Sequence, residues 1–185
     1  MYIKTKEDLK FFLEKDRLRY KKNNLPNWLG RFLGLESYHA FYIIKHFRKY
    51  EYAFNNKNSF IGKIRYLYRK LKFQRLSFKM KIFMHPNSIG YGLRIVHIGG
   101  GIIMNCHKIG NNCTVTSGVI IGNKNHKDSR PTIGDNVEIT LGAKIIGKIN
   151  VGNNVIIAPN SVVIKDVPEN AIVSGIPAKI IKYKN

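Results

Sequence analysis

Cysteine is scarce: Cys106 and Cys113 are the two in a chain of 185 residues, and they lie far from any C-x-x-C spacing. A secreted disulfide framework is therefore not expected. Long apolar runs are also missing. None approaches the roughly 18 residues a membrane span requires. The opening MYIKTKEDLK brings charge at once, with no apolar stretch behind it, so no signal peptide is expected either. The expected location is the cytoplasm. Acidic residues are few, 11 against 32 Lys and Arg, leaving a formal net charge of +21. Charged and apolar residues are still interspersed at ordinary levels, which argues against wholesale disorder.

Aromatic residues run out near residue 80. Residues 1–80 hold 18 of the 21 aromatics and 20 of the 32 basic side chains, whereas 81–185 keep Phe83, Tyr91 and Tyr183 and most of the glycines. Two vocabularies imply two structural units, the first a basic, aromatic-rich helical domain over 1–80. Thr5 and Asp8 stand at capping-box spacing, and Leu9, Phe12, Leu13 and Tyr20 follow on one face. A second helix is predicted from about Ser37, with Phe41, Ile44, Phe47 and Phe54 on its buried stripe. A third carries Ile61, Ile64, Leu67, Tyr68 and Leu71 at helical period. Asparagine-rich breaks at 24–27 and 55–58 separate them.

The second unit carries an internal repeat. Counting in sixes from Ile109 gives Val115, Ile121, Lys127, Ile133, Ile139, Ile145, Val151, Ile157 and Val163, and nine of these ten positions are Ile or Val. Neither a helix nor a simple strand requires a period of six. A triangular coil of three short strands, about 18 residues per turn, does. The guide residues point inward and stack into ladders at the usual strand spacing of about 4.8 Å. Gly134 and Gly152, each followed by Asn-rich corner residues, are 18 apart, but Gly110 precedes Gly134 by 24. About six residues are therefore looped out, within 123–130, where Lys127 breaks the series. A second irregularity lies upstream: Ile89 and Ile95 keep the step of six, but Ile103 follows Ile95 by eight, across residues 97–101. Interruptions of a rigid scaffold are where function concentrates.

The segment from Met84, His85 and Pro86 through His97 and the three glycines 99–101, and the loop ending at Arg130 and Pro131, resemble the serine acetyltransferase family. The ending, from Ala158 and Pro159 to Gly175, Pro177 and Lys179, looks like the one shared by hexapeptide-repeat acetyltransferases. The resemblance covers roughly 82–182. It implies an α+β chain: a left-handed parallel β-helix with a protruding loop over 81–168, and a coenzyme A-binding tail over 169–185. It also implies a homotrimer with acetyl-CoA, the acyl donor, in the groove between prisms, and no metal.

Three positions depart from the family. Phe83 stands where it has an aspartate, Val96 replaces the aspartate before the catalytic histidine, and Arg130 stands where a loop histidine belongs. A zwitterionic amino acid would lose its ammonium partners. The resemblance then shifts toward the capsule, exopolysaccharide and O-antigen O-acetyltransferases. The expected acceptor is a sugar hydroxyl of a cell-surface polysaccharide or its precursor, with serine as the alternative. A catalytically silent scaffold on an anionic surface is the non-enzymatic alternative.

A hydroxyl attacking a thioester needs a base, and imidazole suits the task. His97 matches the family's catalytic histidine. His126, in the looped-out segment, is the rival, placed as in galactoside and xenobiotic acetyltransferases. The missing aspartate leaves the orientation of His97 to a backbone carbonyl or a loop carboxylate such as Asp128. Arg130 is a candidate for an acidic sugar or a coenzyme A phosphate. By resemblance, Leu141 and Pro159 line the pantetheine track, and Ile164 and Lys165 lie beside the phosphates. Lys179 and Lys182 reach the same anionic end. Residues 1–80 carry a net +14. Without a nucleic-acid motif, this charge suits peripheral contact with an anionic membrane surface better than nucleic acid.

Overall fold

The computed structural model describes residues 2–20, 25–124 and 129–184. Four helices come first: α1 (Lys6–Leu18), α2 (Asn27–Phe32), α3 (Glu36–Asn55) and α4 (Phe60–Met80). The capping box of α1 forms as its spacing predicts. Thr5 Oγ1 accepts the Asp8 N–H at 3.0 Å, and Asp8 Oδ2 accepts the Thr5 N–H at 2.8 Å. Those backbone bonds, with a further one from Lys4, hold the Asp8 carboxyl below its ordinary range. The short α2 was not foreseen.

The central helix is α3, with Ala40, Ile43, Ile44 and Phe47 fully buried. α4 packs on it through Phe73, whose ring lies 5.4 Å from both Phe47 and Tyr50. The apolar period foreseen in α4 is present but marks its outer face: Ile61, Ile64, Leu67, Tyr68 and Leu71 are all exposed. The competing face carries Tyr66, Phe73 and Ser77, and aromatic packing against α3 decides which side turns inward.

Beyond α4 the chain coils into a triangular parallel β-solenoid of about four turns. One sheet stacks β1 (Ile82–Met84), β3 (Ile102–Met104), β6 (Ile120–Gly122), β9 (Lys144–Ile146) and β12 (Val162–Val163). A second stacks β4 (Lys108–Ile109), β7 (Thr132–Ile133) and β10 (Asn150–Val151). The third contains β2 (Arg94–Val96), β5 (Thr114–Thr116), β8 (Glu138–Ile139), β11 (Ile156–Ile157), β13 (Ala171–Gly175) and an antiparallel last strand, β14 (Ala178–Tyr183).

Three inward ladders fill the prism, each five rungs deep. They run Met84, Met104, Ile121, Ile145, Val163; Ile89, Ile109, Ile133, Val151, Val167; and Ile95, Val115, Ile139, Ile157, Val173. All fifteen are buried. Successive coils of the third ladder use 20, 24, 18 and 16 residues, so both irregularities fall where the six-residue count predicts them. The upstream guide residue is Met104, not Ile103, which is 40% exposed on the outer side of β3. Corners stack too. Asn112, Asn136, Asn154 and Asn170 all have positive φ, and Asn136 Nδ2 donates to Asn154 Oδ1 at 3.2 Å.

A buried ionic bolt joins helices to prism. Arg48, with no exposed surface, donates to Asp16 Oδ2 and to Glu51 Oε2, each at 2.8 Å. It also donates to the carbonyls of Ile89 and Gly90 in the first coil. The two carboxylates spend their remaining oxygens on Leu93 N–H and Asn87 N–H. Burial alone would push Arg48 down, but Asp16 and Glu51 outweigh it and hold the guanidinium charged.

Candidate active site

One edge of the prism is a stack of tight corners. Gly118 N–H donates to Gly101 O at 2.7 Å, Gly142 N–H to Ser117 O at 2.9 Å, and Asn160 N–H to Leu141 O at 2.8 Å. His97 lies at the first of these corners, Leu141 and Pro159 at later ones. Three residues chosen separately from the sequence therefore share one edge.

His97 sits in a left-handed backbone conformation, φ 58° and ψ 67°, which is unusual for a residue with a side chain. The turn that follows, Ile98–Gly100, is pinned from two sides. Gly100 N–H donates to Ser117 Oγ at 2.7 Å, and Ile98 N–H donates to Glu36 Oε1 at 2.8 Å. The other oxygen of Glu36 stands 3.6 Å from His97 Nδ1, too far for a hydrogen bond. Both side chains remain accessible, 67% exposed for His97 and 43% for Glu36. A carboxylate from the first turn of α3 thus stands beside His97, although Val96 brings none. No spacing in the sequence announces it, because the contact joins the two structural units.

Beside the pair opens a cleft of about 300 Å³ lined by Arg19, Tyr20, Glu36, Arg94 and Val96. The Tyr20 hydroxyl accepts the Ile95 N–H, and burial pushes its ionisation well above the ordinary phenol range. Arg19 is tied to Thr114 Oγ1 at 3.0 Å. Phe83, at a family aspartate position, faces outward against Phe78, with ring centroids 5.6 Å apart.

The remaining candidates lie elsewhere. His126 and Asp128 are outside the described residues. Arg130 is half-buried at the base of the protruding loop, on the edge between the first and second sheets. Its charge adds to desolvation in lowering the His85 imidazole. A second hollow, about 400 Å³, opens on this edge between Lys124, Ser129, Ile146, Lys148 and Ile164. Lys165 is exposed next to Ile164, and Lys179 and Lys182 are exposed on β14. One chain therefore sets His97, Leu141 and Pro159 on one edge of its prism and Arg130, Ile164 and Lys165 on another, with Lys179 and Lys182 on the last strand of the third sheet. Cys106 and Cys113 are buried free thiols, each pushed up to about 11 by burial, which suits fillers and not nucleophiles. Among the described residues, no group of three or more His, Cys, Asp or Glu is placed to hold a metal ion, and no helix is long and apolar enough to cross a membrane.

This architecture is the β-solenoid of hexapeptide-repeat acetyltransferases. The chain's homologues and structural neighbours are serine acetyltransferases. No family model matches the chain. It is 41% identical over 123 residues to the serine acetyltransferase of Staphylococcus xylosus, covering 65% of this chain and 57% of the relative. With the Staphylococcus aureus enzyme it shares 43% over 104 residues, covering 55% and 49%. The chain thus spans roughly half the length of the curated relatives it matches. The crystal structure of serine acetyltransferase from Brucella abortus superposes with a TM-score of 0.75 at 25% identity, covering 97% of this chain and 71% of that one. The same enzyme in complex with coenzyme A gives 0.72 at 27%, covering 97% and 70%. Neisseria gonorrhoeae serine acetyltransferase in complex with serine also gives 0.72 at 27%, covering 96% and 70%.

These relatives overturn the sugar acceptor expected from Phe83, Val96 and Arg130. Loss of two family aspartates and a loop histidine does not amount to loss of an amino-acid site. In the fold a carboxylate can reach the histidine from another element, as Glu36 does here, so absence of an aspartate at Val96 does not by itself exclude one from the site.

Proposed function

We propose that this chain is an acetyl-CoA-dependent serine O-acetyltransferase with His97 as general base. The observation that carries this reading is the His97–Glu36 pair, set at the head of the edge that bears Leu141 and Pro159. Because Nδ1 faces Glu36, Nε2 is the nitrogen assigned to the acceptor. The serine Oγ attacks the thioester carbonyl carbon as Nε2 takes its proton. Collapse of the tetrahedral intermediate breaks the C–S bond, and the imidazolium returns the proton to the departing thiolate, leaving O-acetylserine and coenzyme A. The Glu36 carboxylate stabilises the imidazolium formed between the two proton transfers. Arg94, in the adjoining cleft, is the assigned partner of the acceptor's carboxylate.

The two-edge division of the candidates supports a trimer. Three prisms side by side would set the His97 edge of one chain against the Ile164 edge of its neighbour, with acetyl-CoA in the shared groove. Lys165, Lys179 and Lys182 would meet its phosphates.

The test is thiol release from acetyl-CoA with L-serine as acceptor. Turnover is expected in the wild type, and His97→Ala should lower kcat by roughly 10²- to 10⁴-fold with little change in acetyl-CoA affinity. Absence of turnover with serine, or a His97→Ala variant of normal kcat, would overturn the reading.

A further inference from the structure

The outer face of α4 carries its own pattern. At about 100° per residue, Phe60, Ile64, Leu67, Leu71 and Phe78 fall within about 60° of one another. Their exposures run from 47% at Leu71 to 78% at Phe60. Tyr66, Phe73 and Ser77, which turn toward the core, occupy the opposite side. Arg65, Lys72, Arg75 and Lys79 lie on one flank of the outer stripe and Lys63 and Lys70 on the other. The helix holds seven Lys and Arg across its 21 residues, rises through more than five turns, and has no Asp or Glu.

We propose that α4 docks flat on an anionic lipid surface, its apolar stripe among the acyl chains and its flanking cations on the phosphates. Charge selects the occupant. A second copy of this face would set six positive charges against six, with no carboxylate on either helix to relieve them. Polyanions without an apolar layer would meet the lysines but leave the Phe, Ile and Leu stripe in water. An anionic bilayer interface satisfies both halves of the pattern at once. On the flank, Lys72 Nζ lies 5.8 Å from the centre of the exposed Tyr68 ring. The proposal does not depend on which acceptor the active site takes.

Cosedimentation of the full chain with vesicles tests it. Phosphatidylcholine vesicles containing about 30% phosphatidylglycerol should carry the protein down at low salt, and pure phosphatidylcholine vesicles should not. Added salt should release it. Leu67→Glu with Leu71→Glu should weaken partitioning at least about tenfold, as should Lys63→Gln, Lys70→Gln and Lys72→Gln together. Circular dichroism and thiol release in solution report whether each variant is folded. If the apolar variant unfolds, the charge variant on the exposed flanks decides. No binding at low salt, equal binding to neutral vesicles, or unchanged binding of the charge variant would overturn the proposal. So would light scattering in which the folded apolar variant falls to a smaller assembly, which would mean that another copy covers the stripe.

Discussion

Glu36 divides its carboxylate between a backbone N–H and a histidine. Oε1 fixes the turn after His97 and Oε2 faces the imidazole. Glu36→Gln keeps an oxygen for Ile98 N–H and removes the charge, so it separates the two roles. A buried triad carboxylate is worth roughly 10⁴ in kcat. This pair is exposed to solvent, which screens it, so about a tenfold loss in kcat is expected, with KM for acetyl-CoA and the thermal midpoint unchanged. Steady-state thiol release alongside a melting curve checks this. An unchanged kcat, or a loss matched by a lower midpoint, would reduce Glu36 to a structural cap. His97 was a candidate from the sequence because it matches the family's catalytic histidine and sits in an irregularity of a regular repeat. Glu36 was not, because its meaning comes from where α3 begins relative to a coil formed far downstream.

Among the elements, the solenoid was readable where sequence pattern and burial are the same thing. A β-branched residue every sixth position must point inward if coils are to stack. Where a coil lengthened, two adjacent apolar residues competed for the inward position, and Met104 took the place foreseen for Ile103. The helix α4 teaches the complementary point: its period of apolar residues was correct, but a period does not say what it faces. The junction of helices and prism rests on Arg48, whose partners come from α1, α3 and the first coil. Arg48→Ala would leave Asp16 and Glu51 buried without a counter-charge. A loss of about 3–5 kcal/mol in unfolding free energy is expected. Urea denaturation measures it, and a loss under about 1 kcal/mol would mean that water or a shifted lysine replaces the guanidinium.

For the whole molecule, the division of candidate residues between two edges makes a test of assembly possible. A chain with His97→Ala and a chain with Ile164→Glu should each be inactive alone if each site takes one edge from each of two neighbours. Dissociated and reassembled in equal amounts, they should recover up to about a quarter of wild-type activity, the share of grooves that receive both intact edges. Thiol release in the mixed sample measures this, and no recovery in a properly assembled mixture would confine the site to one chain.

Parallel coils stacked rung on rung have no intrinsic length limit, since each exposed end presents the N–H and C=O groups a further rung would use. Here the helices cover one end and a reversed strand closes one sheet at the other. The α4 helix lies against the first rung, where Ser77 Oγ binds the Ile82 carbonyl. At the other end, β14 reverses direction against β13, so the sheet finishes with a strand of opposite polarity. The molecule is thus a segment of a potential filament with helices over its first coil and an antiparallel hairpin closing one of its three sheets at the other end. Further rungs on the third sheet would have to add to a strand of reversed polarity, which leaves lateral association of prism faces as the simpler route to larger assemblies.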